Sequence, residues 1–322
     1  MIPARILGTA GLLPAREITT AELSIALGRN PAAMERKTGI RARRWIEPGA
    51  RASDLGAEAL REALRAARME ALDLRRIVFV SSSAHDVLFP ATANRVAAEL
   101  GLAGSCDAFD LGNACMGFLT ALDLAARSVA TGSGPVGIAV VETPSRHLST
   151  EDHRPYLVFG DAAAAAVIGA SDDGSGVIAS ALANDGSLPP DVIIEHPFTT
   201  GRIDPVRFVQ SNQAIGGVAI GALLRATRDL LDGAGVRIAD VEWVVPHQPN
   251  GAMLRAILGE LAIDPACVAP VVEEIGSVGA ASIPFSLDRL LRTKPVKQGD
   301  RVLLLGVGSG VARGAMLYRV GR

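Results

Sequence analysis

Short apolar runs such as IVFV at 77–80, GIAVV at 137–141 and VLLLGV at 302–307 alternate along this chain with longer stretches whose apolar positions recur at helical spacing. A strand that is apolar on both faces must be covered on both. The alternation therefore predicts an α/β fold with largely parallel sheets between helices. The turn SDDGSG at 171–176 divides the chain nearly in half, and the elements after it follow the order of those before it. No sequence repeat accompanies that order, so the duplication is one of pattern. Two similar α/β halves are expected, 1–170 and 171–322.

Further elements follow from local signals. Residues 5–13 read as a first strand closed by Pro14, Thr19 and Glu22 as a capping box, and Pro31 as the start of a second helix. Ser53 is expected to cap the periodic helix DLGAEALREALRAARM, and Phe89 and Pro90 to open a helix running to Leu100. The segment 142–155, with His147 and His153, reads as a polar exposed loop. An irregular loop to Pro205, a helix near 215–231, helices after Asn250 and over 280–291, and closing strands at 302–307 and 315–320 complete the expectation. The run AAAAAVIGA at 162–170 is helical by propensity, but its place between a loop and a turn predicts a tightly packed strand.

With 322 residues, 49% of them hydrophobic, the chain can bury a large core, and with 34 Gly and only 4% aromatics that core must be built from small side chains. A net charge of -2 gives no reason to expect a nucleic-acid partner. The basic residues of RKTGIRARRW at 36–45 form either a solvated face or a local docking site for an acidic partner. Cys106, Cys115 and Cys267 make no C-x-x-C pair and the five histidines are scattered, so neither a disulfide framework nor a metal site is indicated and a reducing cytoplasm is expected. The N-terminus has no signal-type pattern and no run of about 18 uncharged apolar residues occurs, so no membrane partner is expected.

Three stretches present polar groups. In AFDLGNACMGFLTALDLAARSVAT at 108–131, Cys115 stands where an apolar strand passes through a small-residue turn into a long helix. Unpaired amides at a helix N-terminus favour a thiolate, so Cys115 is a candidate nucleophile; on this stretch alone a packing role is equally compatible. In VVPHQPN at 244–250, His247 and Asn250 emerge at the carboxyl end of a strand, where α/β sheets place their sites. In GSVGAASIP at 276–284, a turn carrying Ser277 runs into a helix. GVGSG at 306–310 lacks the helix and acidic residue of a dinucleotide fingerprint, but its amides suit half of an oxyanion hole.

Taken together, RILGTAGLLP, TGIRARR, FPATANRVAAELGL, DLGNACMGF, FGDAAAAAV, VVPHQPN, GSVGAASIP and GDRVLLLGVGSGVARGA resemble, in order and approximate spacing, the thiolase-fold condensing enzymes, and among them 3-oxoacyl-acyl-carrier-protein synthase III. The resemblance implies a thiolase-like fold layered α-β-α-β-α and a ping-pong reaction without a cofactor, with coenzyme A or carrier-protein thioesters as substrates. Cys115 would take an acyl group while the amides of Cys115 and Ser309 hold the oxyanion. His247 would then hydrogen-bond the enolate left when a malonyl-type extender loses carbon dioxide. Phe89 matches a phenylalanine that such homodimers push into the partner's acyl pocket.

The chain departs from that family at positions that matter to the second step and to the donor. Ser277 stands where an asparagine normally gives the second hydrogen bond to the enolate. Ala33 replaces a tryptophan that stacks on adenine, and Ala252 an arginine that meets the carrier protein, a role that Arg255 one turn on could take. Lys37 and His153 replace arginines. These changes point to a carrier-protein-bound or non-standard donor in specialised metabolism. The leading expectation is a decarboxylative ketosynthase, with Ser277 itself or Asn250 supplying the second donor; the alternatives are a same-fold acyltransferase or non-decarboxylative condensing enzyme, in which Ser277 is the diverted element, and a non-catalytic partner subunit, which retention of Cys115 and His247 opposes.

Overall fold

The computed structural model describes residues 1–102, 104–188 and 191–321. The chain begins with β1 (Ala4–Leu12) and β2 (Arg16–Thr19), then α1 (Thr20–Ala26), α2 (Pro31–Thr38) and β3 (Ala42–Trp45). α3 (Ala52–Ala67), β4 (Arg76–Val80), α4 (Thr92–Glu99), β5 (Asp107–Leu111), α5 (Gly117–Ala130), β6 (Val136–Glu142), α6 (His153–Tyr156) and β7 (Ala162–Ala170) follow. Beyond the turn lie β8 (Gly176–Asn184), β9 (Val192–Ile193), α7 (Pro197–Thr200), β10 (Arg207–Phe208) and α8 (Asn212–Ala234). The chain closes with β11 (Trp243–Pro246), α9 (Gly251–Glu260), α10 (Val272–Ile275), α11 (Ser282–Thr293), β12 (Arg301–Gly308) and β13 (Ala312–Arg319). Of the loop expected to reach Pro205, Pro189 and Pro190 lie outside the described residues. Among the described residues no helix is long and apolar enough to cross a membrane.

Two sheets organise these elements, one ordered β1-β7-β6-β4-β5 and one ordered β11-β12-β13-β8. Strands β6, β4 and β5 are parallel, as are β11 and β12, whereas β7 is antiparallel to β1 and β6, and β13 to β12 and β8. The sheets are thus mixed rather than largely parallel. A parallel pair needs a crossover of a dozen or more residues, and β12 and β13 are joined only by the turn Ser309–Val311.

Helices α3 and α4 cover the outer face of the first sheet through a core that includes Leu60, Leu64, Phe79 and Val96. Helices α8 and α9 cover the second through Leu223, Leu230, Leu254 and Leu303. Between the sheets lie α5 and α11, which touch strands of both and bury Phe118, Leu122, Ile283 and Leu287. The architecture is therefore α-β-α-β-α. The alanine run is strand β7, paired on both sides and buried from Ala162 to Gly169. Its methyl-sized side chains bring the helices close, and the same economy operates at Gly8, where a Cβ would overlap the Ala63 carbonyl of α3.

The capping box at the start of α1 forms as expected: Glu22 N donates to Thr19 Oγ1 at 3.1 Å and Thr19 N to Glu22 Oε2 at 2.7 Å. Two other helix starts differ from expectation. Ser53 is not the cap of α3; it lies in the first turn, and the amides of Ala52 and Ser53 donate to the Asp86 carboxylate at 2.8 and 3.3 Å. Helix α4 starts at Thr92 rather than Phe89, with the amides of Thr92 and Ala93 both 2.8 Å from the Asp110 carboxylate. In each case a remote carboxylate meets the free amides and the helix dipole. The segment after β6 is less exposed than expected, since Glu142, Thr143 and Pro144 are buried and one ring nitrogen of His147 is sealed from solvent.

Candidate active site

Cys115 occupies a turn held by packing. After β5 the backbone passes through Asn113 and Ala114, and Ala114 has φ 41°, a left-handed conformation that costs a non-glycine residue on the order of 1–3 kcal/mol. The residue after Cys115 offsets this. Met116 is buried, and Gly306 leaves room for it, because a Cβ there would lie 2.5 Å from its Sδ. The Asn113 side chain fastens the turn, its Nδ2 donating to Thr120 Oγ1 at 2.9 Å. Cys115 itself lies in the 3-10 turn Ala114–Met116, one step ahead of α5, and its own amide faces its sulfur.

That placement reverses the electrostatic expectation for the resting protein. Burial pushes the Cys115 thiol up to about 12, the Glu142 charge adds to the rise, and the Cys115 amide opposes it. The helix end is near, but the thiol is neutral. A reaction in which this sulfur acts as a nucleophile has to remove its proton.

At the end of β11, the His247 amide donates to Leu305 O at 2.7 Å, fixing the residue to the edge of β12. The ring is buried, which pushes its pKa down to about 4. It is a neutral imidazole at pH 7. Nδ1 is buried and has no hydrogen-bond partner among the described residues, which leaves Nε2 as the nitrogen a substrate can meet. Gln248, which the sequence did not single out, pins the segment: Nε2 donates to Ala269 O at 3.0 Å and Ser286 Oγ at 3.1 Å, and Oε1 accepts from Val271 N at 2.9 Å.

Ser277 is buried and held by its backbone, donating to Val158 O at 2.9 Å and accepting from Gly160 N at 3.0 Å. Glycine at 160 permits this closeness, since a Cβ would overlap the Ile275 carbonyl. Gly308 performs the same task across the site, where a Cβ would lie 3.2 Å from Cys115 N. Next to it, Ser309 uses its hydroxyl to tether β9, donating to Val192 O at 2.5 Å.

Cys115, His247, Ser277 and Ser309 all line one cavity of about 580 Å³. Lys37, His153 and Asn250 line it too, and the Asn250 side-chain oxygen accepts Met253 N at 2.9 Å to cap α9. Arg255 is exposed on α9 and does not line the cavity. Phe89 also lies outside, 88% exposed beside the exposed Val87 and Leu88.

Sequence reasoning missed Glu142. It closes β6, lines the same cavity and is only 3% exposed. Its carboxylate accepts Ser82 N at 3.2 Å and the Ser83 hydroxyl, and it fits because Gly279, at φ 52°, has no Cβ to place 3.1 Å from the Glu142 Cγ. Burial raises its pKa to about 7 despite those donors. The available signal was a single charge ending an otherwise apolar strand.

This geometry has counterparts among known proteins. Residues 109–186 match the family 3-oxoacyl-[acyl-carrier-protein] synthase III and residues 231–320 match its C-terminal domain, together a little over half the chain. The crystal structure of 3-oxoacyl-[acyl-carrier-protein] synthase III from Aquifex aeolicus VF5 is 29% identical with a TM-score of 0.91, over 98% of this chain and 100% of that one. The synthase III from Pseudomonas aeruginosa PAO1 is 28% identical with a TM-score of 0.91, over 99% of each chain. The priming β-ketosynthase of the R1128 polyketide biosynthetic pathway is 27% identical with a TM-score of 0.89, over 99% of this chain and 96% of that one. With both domains matched in order and the five-layered fold superposing throughout, the chain belongs to the 3-oxoacyl-[acyl-carrier-protein] synthase III family of thiolase-fold condensing enzymes, which transfer acyl groups.

Proposed function

We propose that this enzyme takes an acyl group from a thioester onto Cys115 and transfers it to a malonyl-type extender on a carrier protein, with loss of carbon dioxide, to give a 3-oxoacyl product. One observation carries the reading: the Cys115 thiol, the neutral imidazole of His247 and the Gly308–Ser309 turn line one cavity. The Cys115 sulfur attacks the thioester carbon, and the amides of Cys115 and Ser309 hold the oxyanion. The donor thiol leaves. When the extender sheds carbon dioxide, His247 donates its ring proton in a hydrogen bond to the thioester oxygen, where the enolate charge gathers. The enolate carbon then attacks the acyl-Cys115 carbon and expels the Cys115 thiolate. Both substrates are thioesters, and no step so written calls for a metal or cofactor.

Lys37 and His153 on the cavity wall suit the phosphate of a pantetheine arm, while Ala33 and Ala252 remove contacts that would favour free coenzyme A or a familiar carrier surface. Together with the likeness to a priming ketosynthase of a polyketide pathway, this supports a carrier-protein donor and a place in specialised metabolism. The test is intact-mass measurement after incubation with acyl thioesters, followed by malonyl-carrier protein with carbon dioxide release as the readout. Absence of a Cys115 adduct would sink the proposal.

A second reading rests on Ser277. A serine hydroxyl is shorter than an asparagine amide, so the enolate has one fixed side-chain donor, His247, and acyl transfer to another nucleophile could replace decarboxylation. Ser277→Asn should raise carbon dioxide release by about 10²- to 10³-fold, the worth of one oxyanion-type donor. A wild type that decarboxylates as fast as the variant removes this reading.

The exposed Val87, Leu88 and Phe89 support a homodimer in which this segment meets the second copy. Sedimentation should give a particle of about twice the 33.3 kDa chain mass, and a monomer at micromolar concentration would overturn it.

A further inference from the structure

We propose that the Glu142 carboxylate is the group that accepts the Cys115 proton during acylation, an inference that rests on Cys115 being the acyl acceptor. Both side chains line the same cavity, and the carboxylate is held toward it by Ser82 N and the Ser83 hydroxyl, with Gly279 leaving it room. The Ala280 amide also donates to it, and a carboxylate, with about four lone-pair sites, keeps one open beside three donors. Ser83 is itself fixed, its Oγ accepting Thr143 N at 3.1 Å. Among the described residues, the charged and titratable groups acting on Glu142 are Cys115 and His85, and His85 is engaged by Asp110 and Thr92, 3.4 and 3.3 Å from its Nδ1.

Charge bookkeeping favours Glu142 over the alternatives. A proton lost from Cys115 to solvent leaves two negative charges in the cavity, whereas one passed to Glu142 leaves one. The repulsion that raises the thiol disappears with the transfer. His247 is the weaker base by far, its burial holding it near 4 while Glu142 sits near 7. In the step, the S–H bond breaks as the proton passes to a Glu142 oxygen, sulfur forms its bond to the thioester carbon, and the carbon–sulfur bond to the donor breaks. The leaving thiolate, whose thiol has an ordinary pKa near 8.5, then takes the proton from the Glu142 carboxylic acid. The net result is acyl-Cys115, a free thiol and the starting carboxylate.

The experiment is single-turnover acylation by an acyl thioester, followed by intact mass across pH 5.5 to 9 for wild type, Glu142→Gln, Glu142→Asp and Ser83→Ala. Wild type should rise through an inflection near pH 7 to a plateau. Glu142→Gln should lose that inflection and fall by about 10²- to 10⁴-fold at the plateau, the range for general base catalysis. Glu142→Asp should recover part of the rate. If Glu142 is merely structural or electrostatic, Glu142→Gln lowers the Cys115 pKa and acylation speeds up. A rate at or above wild type, or a retained inflection, which would mark His85 as its source, overturns the proposal. Should Glu142→Gln not fold, Ser83→Ala decides: losing a bond that holds the Glu142 pKa down should move the inflection to higher pH, and an unmoved inflection overturns it. A wild type that is never acylated removes the underlying function instead, so the two failures are distinguishable.

Discussion

Cys115→Ala should show no mass increase with any acyl thioester and should lose about 10⁴- to 10⁶-fold in turnover, roughly 5 to 8 kcal/mol of transition-state stabilisation. The size of the loss follows from the site. Among the described residues no other cysteine lines the cavity, and Ser277 and Ser309 offer only alcohols, whose protons are far harder to remove than a thiol's, so nothing replaces the sulfur. The fold should survive, because the strained turn at Ala114 is held by buried Met116 and by Asn113, neither of which is touched. Thermal melting within a few degrees of wild type, beside absent labelling, is the expected pair of results. Turnover by Cys115→Ala would require a direct transfer between two bound thioesters, and the ping-pong reading would fall.

The sequence revealed the strands well and the helix starts less well, for a physical reason. A buried run such as Ile77 to Val80 states its environment in its own side chains, and even the alanine run is a strand where its neighbours say it should be. The caps of α3 and α4 come instead from Asp86 and Asp110, side chains 34 and 18 residues from the amides they meet, so no local pattern records them. Strand direction is equally non-local, and the mixed sheets followed from which ends the turns join. At the site, Cys115 and His247 were legible as polar residues at the ends of apolar elements. Glu142 was not, because a glutamate ending a strand reads as a step into solvent until the fold closes over it. The Cys115 pKa was misjudged through the same omission: the helix end was visible in the sequence, while burial and the Glu142 charge, which outweigh it, were not.

His247→Ala should divide the two half-reactions. Acylation of Cys115 should continue within a few-fold of wild type, because the proposed mechanism gives the oxyanion of that step to backbone amides, while condensation slows by about 10²- to 10³-fold for the loss of one donor. Acyl-enzyme should therefore accumulate after malonyl-carrier protein is added, visible as a persistent adduct by intact mass. The pH dependence separates a donor from a base. With its pKa near 4, His247 is neutral throughout pH 5.5 to 8, so the ratio of wild-type to variant condensation rates should stay flat across that range. An imidazole acting from its ordinary pKa near 6.5 would make the ratio bend there. If His247→Ala instead blocks labelling of Cys115, the ring belongs to the acylation step, and both the donor role given to it and the proton-accepting role given to Glu142 would have to be exchanged.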